Sequence, residues 1–150
     1  MTENSAIPES EREYPPSGPA KDGELIRIVI ADDHPIFRDG LRKLLMLEED
    51  FRVVAEARDG KEVLEVLDEH QPDILLLDLK MPRKNGFEVL EWLQSQPFEN
   101  IVVVVLSGSE QQDDVVKAMN LGAHHYHVKH ADSHQRAELI RMLEQYLTRG

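Results

Sequence analysis

The chain has 150 residues, 41% of them apolar, which is one domain's worth with enough apolar surface for a core. Twenty-nine Asp and Glu stand against 17 Lys and Arg, a formal net charge of −12. That balance speaks against nucleic acid as the partner and for cations or basic protein surfaces. Cysteine is absent, which excludes a disulfide scaffold, a thiolate metal site and a cysteine nucleophile.

The N-terminal MTENSAIPES has neither a basic nor an apolar segment of the signal-peptide kind. The longest aliphatic run, Ile101–Leu106, is far too short to span a bilayer. The expectation is a cytoplasmic chain with no membrane partner. Residues 1–23 hold four of the eight prolines, with five acids and two bases. Such a segment buries too little apolar surface to offset its ordering entropy, and reads as a flexible acidic arm ahead of a domain over 24–150.

From Leu25 onward two periods alternate. Short apolar runs at Leu25–Ala31, Phe51–Ala57, Ile74–Leu77, Ile101–Leu106 and Ala123–Val128 predict five strands. The runs at Ile74 and Ile101 are continuous, as in parallel strands covered on both faces. Helical stripes fall between and after them. These are Phe37, Leu41, Leu44 and Leu45, then Val63, Leu64 and Leu67, then Phe87, Leu90 and Leu93. Val115, Val116 and Met119 form a fourth, and Ile140, Leu143 and Leu147 a fifth. Asp59-Gly60 opens the second helix, Pro72 closes it, and Asp132 or Ser133 can cap the last. The pattern predicts a doubly wound (βα)5 α/β sandwich.

In such sheets functional groups collect beyond the carboxyl ends of the strands. Here the first predicted strand ends in Asp32-Asp33, the third in Asp78, the fourth in Ser107 and the fifth in Lys129. The second ends in Ala57-Arg58, with nothing of note. One Asp after a strand is ordinarily a cap or turn residue. Three converging carboxylates repel unless a cation neutralises them, and a hard ion such as Mg2+ suits oxygen ligands. Lys129 would add a fixed counter-charge.

This constellation resembles the receiver domain of two-component response regulators. The resemblance runs from Leu25 to about Thr148. It rests on Asp32-Asp33, on Asp78 followed by Met81-Pro82 and Gly86, on Ser107-Gly108, and on Tyr126-x-x-Lys129. The stretch Asp33 to Leu41 looks especially like regulators that carry a DNA-binding helix-turn-helix, whereas the expectation here is a stand-alone receiver without a nucleic-acid partner.

The resemblance implies a flavodoxin-like sheet of order 2-1-3-4-5. It implies that Asp78 accepts a phosphoryl group from a sensor histidine kinase or phosphotransfer protein. Mg2+ is then bound by Asp33, Asp78 and the backbone carbonyl of Lys80, and by Asp32 through water. Ser107 and Lys129 hold the phosphoryl oxygens, Ser107 and Tyr126 form the switch, and the Lys80 side chain tunes phosphoryl lifetime. The fourth helix, fifth strand and fifth helix are the output face toward a downstream protein or a second copy of the chain. On that face Tyr126, His127, Leu139, Met142 and Tyr146 are the candidate contacts, the last three forming a second apolar row on the last helix. The chain is expected to be no enzyme beyond promoting its own phosphoryl transfer and loss.

Two features depart from a plain receiver. The family's lysine is usually followed by proline, but here by His130. That predicts either a trans Lys129–His130 bond with a remodelled loop or a strained cis bond. Five of the seven histidines lie between His124 and His134 and read as a partner surface that responds to pH rather than a metal site. Two other functions compete with this reading. An aspartyl-phosphate phosphatase would want a second Asp where Lys80 stands. A phosphorylation-independent adaptor on the same fold would rest on the His130 departure. No G-x-G-x-x-G or P-loop motif occurs to suggest a nucleotide-binding domain.

Overall fold

A computed structural model describes residues 25–98, 100–108, 111–129 and 133–145, with 133–136 as backbone. The expected N-terminal arm, the Lys129–His130 bond, Leu147 and Tyr146 lie outside the described residues, as does the capping role offered to Asp132.

Five strands alternate with five helices: β1 (Ile26–Ala31), α1 (Pro35–Met46), β2 (Phe51–Ala57), α2 (Gly60–His70), β3 (Ile74–Asp78), α3 (Gly86–Gln94), β4 (Val102–Ser107), α4 (Gln112–Asn120), β5 (His125–Val128) and α5 (Ser133–Glu144). The strands form one parallel sheet in the order β2-β1-β3-β4-β5. This is the expected fold class and strand order.

Alternation along the central strands divides two apolar cores. Val29, Ala31, Leu75, Leu77, Val103 and Val105 face Val63, Leu67, Val89, Leu90 and Ala118 from α2, α3 and α4. Ile28, Ile30, Ile74, Leu76, Val104 and Leu106 face Leu41, Leu45, Leu139, Ile140 and Leu143 from α1 and α5. Both faces are covered, so both parities along each strand are apolar, and the sequence runs are continuous for that reason. Strand β5 lies at the sheet edge and is half-buried throughout.

Helix ends follow local chemistry. Asp59 caps α2, accepting from the Glu62 amide at 2.9 Å, and Gln71 ends it in the left-handed region before Pro72. Asn85 and Glu88 close a reciprocal capping box on α3. Pro35 opens α1, where a missing N–H costs nothing.

Two expected helix faces are corrected. On α4 the buried residue is Ala118, while Val116 and Met119 are exposed. The small side chain lets the helix approach the sheet closely, which turns its neighbours outward. On α5 Leu139, expected at the exposed output row, is buried against the α1-side core, and Met142 packs half-buried beside it. The wide apolar arc of α5 is therefore largely core. No helix among the described residues is long and apolar enough to cross a membrane.

Candidate functional site

The carboxyl edge of the sheet brings the expected residues together. Asp32 follows β1 and is wholly buried, its amide held by the Ala57 carbonyl at 3.0 Å. Asp78 closes β3 and is 2% exposed. The Lys129 ammonium lies 2.7 Å from Asp32 Oδ2 and 3.4 Å from Asp78 Oδ2. Asp33 is partly exposed at the mouth. Ser107 is fully buried at the end of β4, and its carbonyl accepts the Lys129 amide at 2.6 Å. Parallel pairing explains the convergence: β1, β3 and β4 are adjacent and in register, so their last residues reach one rim.

The loop after β3 is built to hold Asp78. The Lys80 amide donates to Asp78 Oδ1 at 3.2 Å. A β-carbon at Gly86 would lie 2.6 Å from the Asp78 carbonyl, so glycine lets α3 start against the Asp78 backbone. A β-carbon at Gly60 would lie 1.9 Å from the Lys84 carbonyl, so α2 also begins in contact with this loop. Arg83 Nε donates to Asp59 Oδ2 at 3.1 Å and ties the loop to the cap of α2.

Burial is the main reason the Asp78 carboxyl is pushed up to about 6, with the charge of Asp32 second. Lys129 pulls the other way without cancelling them. Three carboxylates face one ammonium, and that excess of negative charge suits a divalent cation. Among the described residues, Asp32 Oδ2 and Asp33 Oδ1 are buried oxygens with no hydrogen-bond partner. Lys129 meets the former as an ion pair only. Carboxylate oxygens gathered this closely beside Asp78 fit a Mg2+ ligand set.

The remaining expected positions are less central. Tyr126 is half-buried on β5 and packs against the core beneath α2, α3 and α4. His127 is half-buried opposite Leu106. His124 Nδ1 accepts from the Val103 amide at 3.0 Å, so it serves the strand edge. Burial, followed by the His124 charge, holds His125 below the usual histidine range.

Four site residues escaped the sequence reading. His34, the N-cap of α1, points Nδ1 at Asp32 Oδ1 and Asp33 Oδ1, 3.1 and 3.0 Å away. The Phe37 ring, assigned to the core stripe, lies 4.5 Å beneath the Lys129 ammonium. Arg38 Nη1 donates to the Asp32 carbonyl at 2.6 Å, and its Nε to Glu56 Oε1 at 2.8 Å. The end of β2 therefore does matter, through Glu56 rather than Ala57-Arg58. The available signal was adjacency, since His34 follows the acid pair directly and Arg38 stands one turn into the helix it starts.

The model of the response regulator receiver domain matches residues 28–143. The chain belongs to this family. The transcriptional regulatory protein DegU of Brevibacillus brevis is 35% identical over 120 residues, 80% of this chain and 50% of its own length. The nitrate/nitrite response regulator NarL of Escherichia coli K12 is 39% identical over 102 residues, 68% of this chain and 47% of its own. The signal receiver domain of Mycobacterium tuberculosis NarL aligns with TM-score 0.73 and 31% identity, covering 81% of this chain and 98% of that one. The phosphorylated cyanobacterial phytochrome response regulator RcpA aligns with TM-score 0.74 and 29% identity, covering 84% and 96%. This receiver spans about half the length of the curated relatives it matches. Those relatives are named as transcriptional and response regulators, so the expectation of a stand-alone chain with no nucleic-acid role finds no support in them.

Proposed function

We propose that this receiver accepts a phosphoryl group on Asp78 from the phosphohistidine of a sensor histidine kinase or phosphotransfer protein. It then changes its protein contacts through α4, β5 and α5. The observation that carries the reading is the nearly inaccessible Asp78 carboxylate with Lys129 3.4 Å from Oδ2 and two further carboxylates beside it. An Asp78 oxygen forms the bond to phosphorus as the phosphorus–nitrogen bond of the donor imidazole breaks. That chemistry asks the protein for positioning and charge stabilisation.

Asp33, Asp78 and the Lys80 carbonyl would hold Mg2+, with Asp32 acting through water. When bound, Mg2+ neutralises charge between the nucleophile and the phosphoryl oxygens. Lys129, seated on Phe37, would then turn from the acids to a phosphoryl oxygen. Ser107 would donate to another, and Tyr126 would repack with it. Contacts made only in the phosphorylated state shift a two-state equilibrium, and about 1.4 kcal/mol gives a tenfold change. The chain promotes only its own phosphorylation and dephosphorylation, and works in the cytoplasm. RcpA, which has this fold and is described as phosphorylated, supports the reading.

The test is binding of beryllofluoride, a phosphoryl mimic, with Mg2+. Trp92 fluorescence and light scattering are followed in wild type and Asp78→Asn. Saturable Mg2+-dependent binding, lost in the variant, is expected, and a mass change would reveal self-association. Absence of binding in wild type refutes the reading. The Lys80 side chain should slow loss of the group by covering the acyl phosphate. Lys80→Ala should lose it several-fold faster, and an unchanged rate removes that role.

A further inference from the structure

His34 is the part of the site that neither the sequence reading nor the proposed phosphoacceptor chemistry uses. Its Nδ1 lies 3.0 Å from Asp33 Oδ1, 3.1 Å from Asp32 Oδ1 and 3.9 Å from Asp78 Oδ2. One atom from each of these four residues falls within 4.8 Å of all the others. An octahedral ion with bonds of about 2.1 Å separates neighbouring ligands by about 3.0 Å and opposite ligands by about 4.2 Å. The imidazole nitrogen therefore already stands near a neighbouring position to Asp33 and close to an opposite position to Asp78.

The backbone keeps it there. The His34 amide donates to Asp32 Oδ1 at 2.8 Å, and Pro35 follows at the start of α1. The side chain is 62% exposed. It approaches from the solvent side, where a Mg2+ ion would otherwise keep water. Asp32 Oδ2 and Asp33 Oδ1 are buried oxygens that accept no hydrogen bond among the described residues; the first meets only the Lys129 ammonium as an ion pair at 2.7 Å, and the second lies 3.0 Å from His34 Nδ1 itself. Asp32 is itself wholly buried.

We propose that His34 Nδ1 is a direct protein ligand of the divalent ion at Asp33 and Asp78, and that it extends the site from Mg2+ to imidazole-accepting ions such as Co2+, Ni2+ and Zn2+. This rests on the acidic cluster being the divalent site of the proposed function. Carboxylate, carbonyl and water oxygens suit Mg2+, whereas imidazole favours the later first-row ions. Nδ1 ligates with its lone pair, so the ring proton resides on Nε2 in the bound state. Lys129 lies 3.5 Å from Nδ1 and 2.7 Å from Asp32 Oδ2, so its ammonium would have to yield to an ion held by these residues.

The test uses the metals alone on the full chain. Electron spin-echo modulation of bound Mn2+, an octahedral probe, should show imidazole nitrogen-14 in wild type and lose it in His34→Ala. Calorimetry should show that His34→Ala weakens Ni2+ or Co2+ at least about tenfold more than Mg2+, the size of loss expected for removing a metal-site group. Nitrogen-free modulation in wild type overturns the inference while leaving the oxygen site intact, as does equal weakening of all ions or tighter binding in the variant. Absence of any binding sensitive to Asp33→Asn overturns the divalent site itself, and the inference with it.

Discussion

Glu56→Ala should cost about 3–5 kcal/mol of unfolding free energy, the range for breaking a buried ion pair from one side. The Glu56 side chain is 3% exposed inside β2, with Arg38 Nε at 2.8 Å and Arg42 Nε at 3.1 Å. Arg38 is itself 9% exposed. Without Glu56 its guanidinium would keep the Asp32 carbonyl but lose its buried counter-charge. Arg42, at the solvent margin, would lose less. Because Arg38 also anchors the backbone of the acid pair, the variant should bind beryllofluoride more weakly as well. Glu56→Gln keeps the acceptor and should lose less in both assays. Urea unfolding followed by Trp92 emission measures the first effect. A loss below about 1 kcal/mol would show that solvent already screens the pair as it does at surfaces.

Asp78→Asn should stabilise the metal-free protein at pH 7–8 by about 2–3 kcal/mol. The cause is burial first and Asp32 second, which together raise the folded carboxyl from 3.8 to about 6. The folded state then holds the proton more tightly than the unfolded chain does. Below the unfolded pKa both states are protonated and the ionisation penalty vanishes. Between about 4 and 6 the penalty grows by about 1.4 kcal/mol per pH unit, and above 6 it is constant. The difference between variant and wild type should therefore rise across that window and level off. Unfolding with chelator present at a series of pH values measures it. Saturating Mg2+ should close the gap by stabilising wild type alone. A difference that stays flat from pH 4 to 8 would show that Asp78 titrates like an exposed carboxylate.

Much of the site was legible because a parallel sheet turns sequence position into spatial position. Each strand must end at the same rim, so a polar residue that closes an apolar run is placed there whatever the loop does. Asp32, Asp33, Asp78, Ser107 and Lys129 each close such a run, and the structure gathers the three acids into one cluster with Lys129 in ion-pair range of Asp32 and Asp78. The helix positions were readable for the same reason, while the strand order came from the resemblance to the receiver family. Period two with both parities apolar, alternating with helical stripes, has few other solutions.

Helix orientation was less legible, since periodicity gives the phase of an apolar stripe but not which flank touches the sheet. On α4 close packing through Ala118 turns Val116 and Met119 outward, and on α5 the core takes Leu139 from the supposed output row. Polar partners far apart in the chain were not legible at all. Arg38 and Glu56 are 18 positions apart and meet only because β1 pairs with β2 and α1 packs across them. Lys129 and Phe37 likewise come together only across the finished rim.

The sequence alone thus determined the fold class and the identity of the acid pair, Asp78 and Lys129 at the rim. Local period and strand ends encode these directly. Only the tertiary structure decided that His34 turns Nδ1 into the cluster, that Asp78 is buried deeply enough to hold its proton up to about 6, and which helix flanks stay exposed. Those depend on desolvation and on distances between segments, which no local pattern carries.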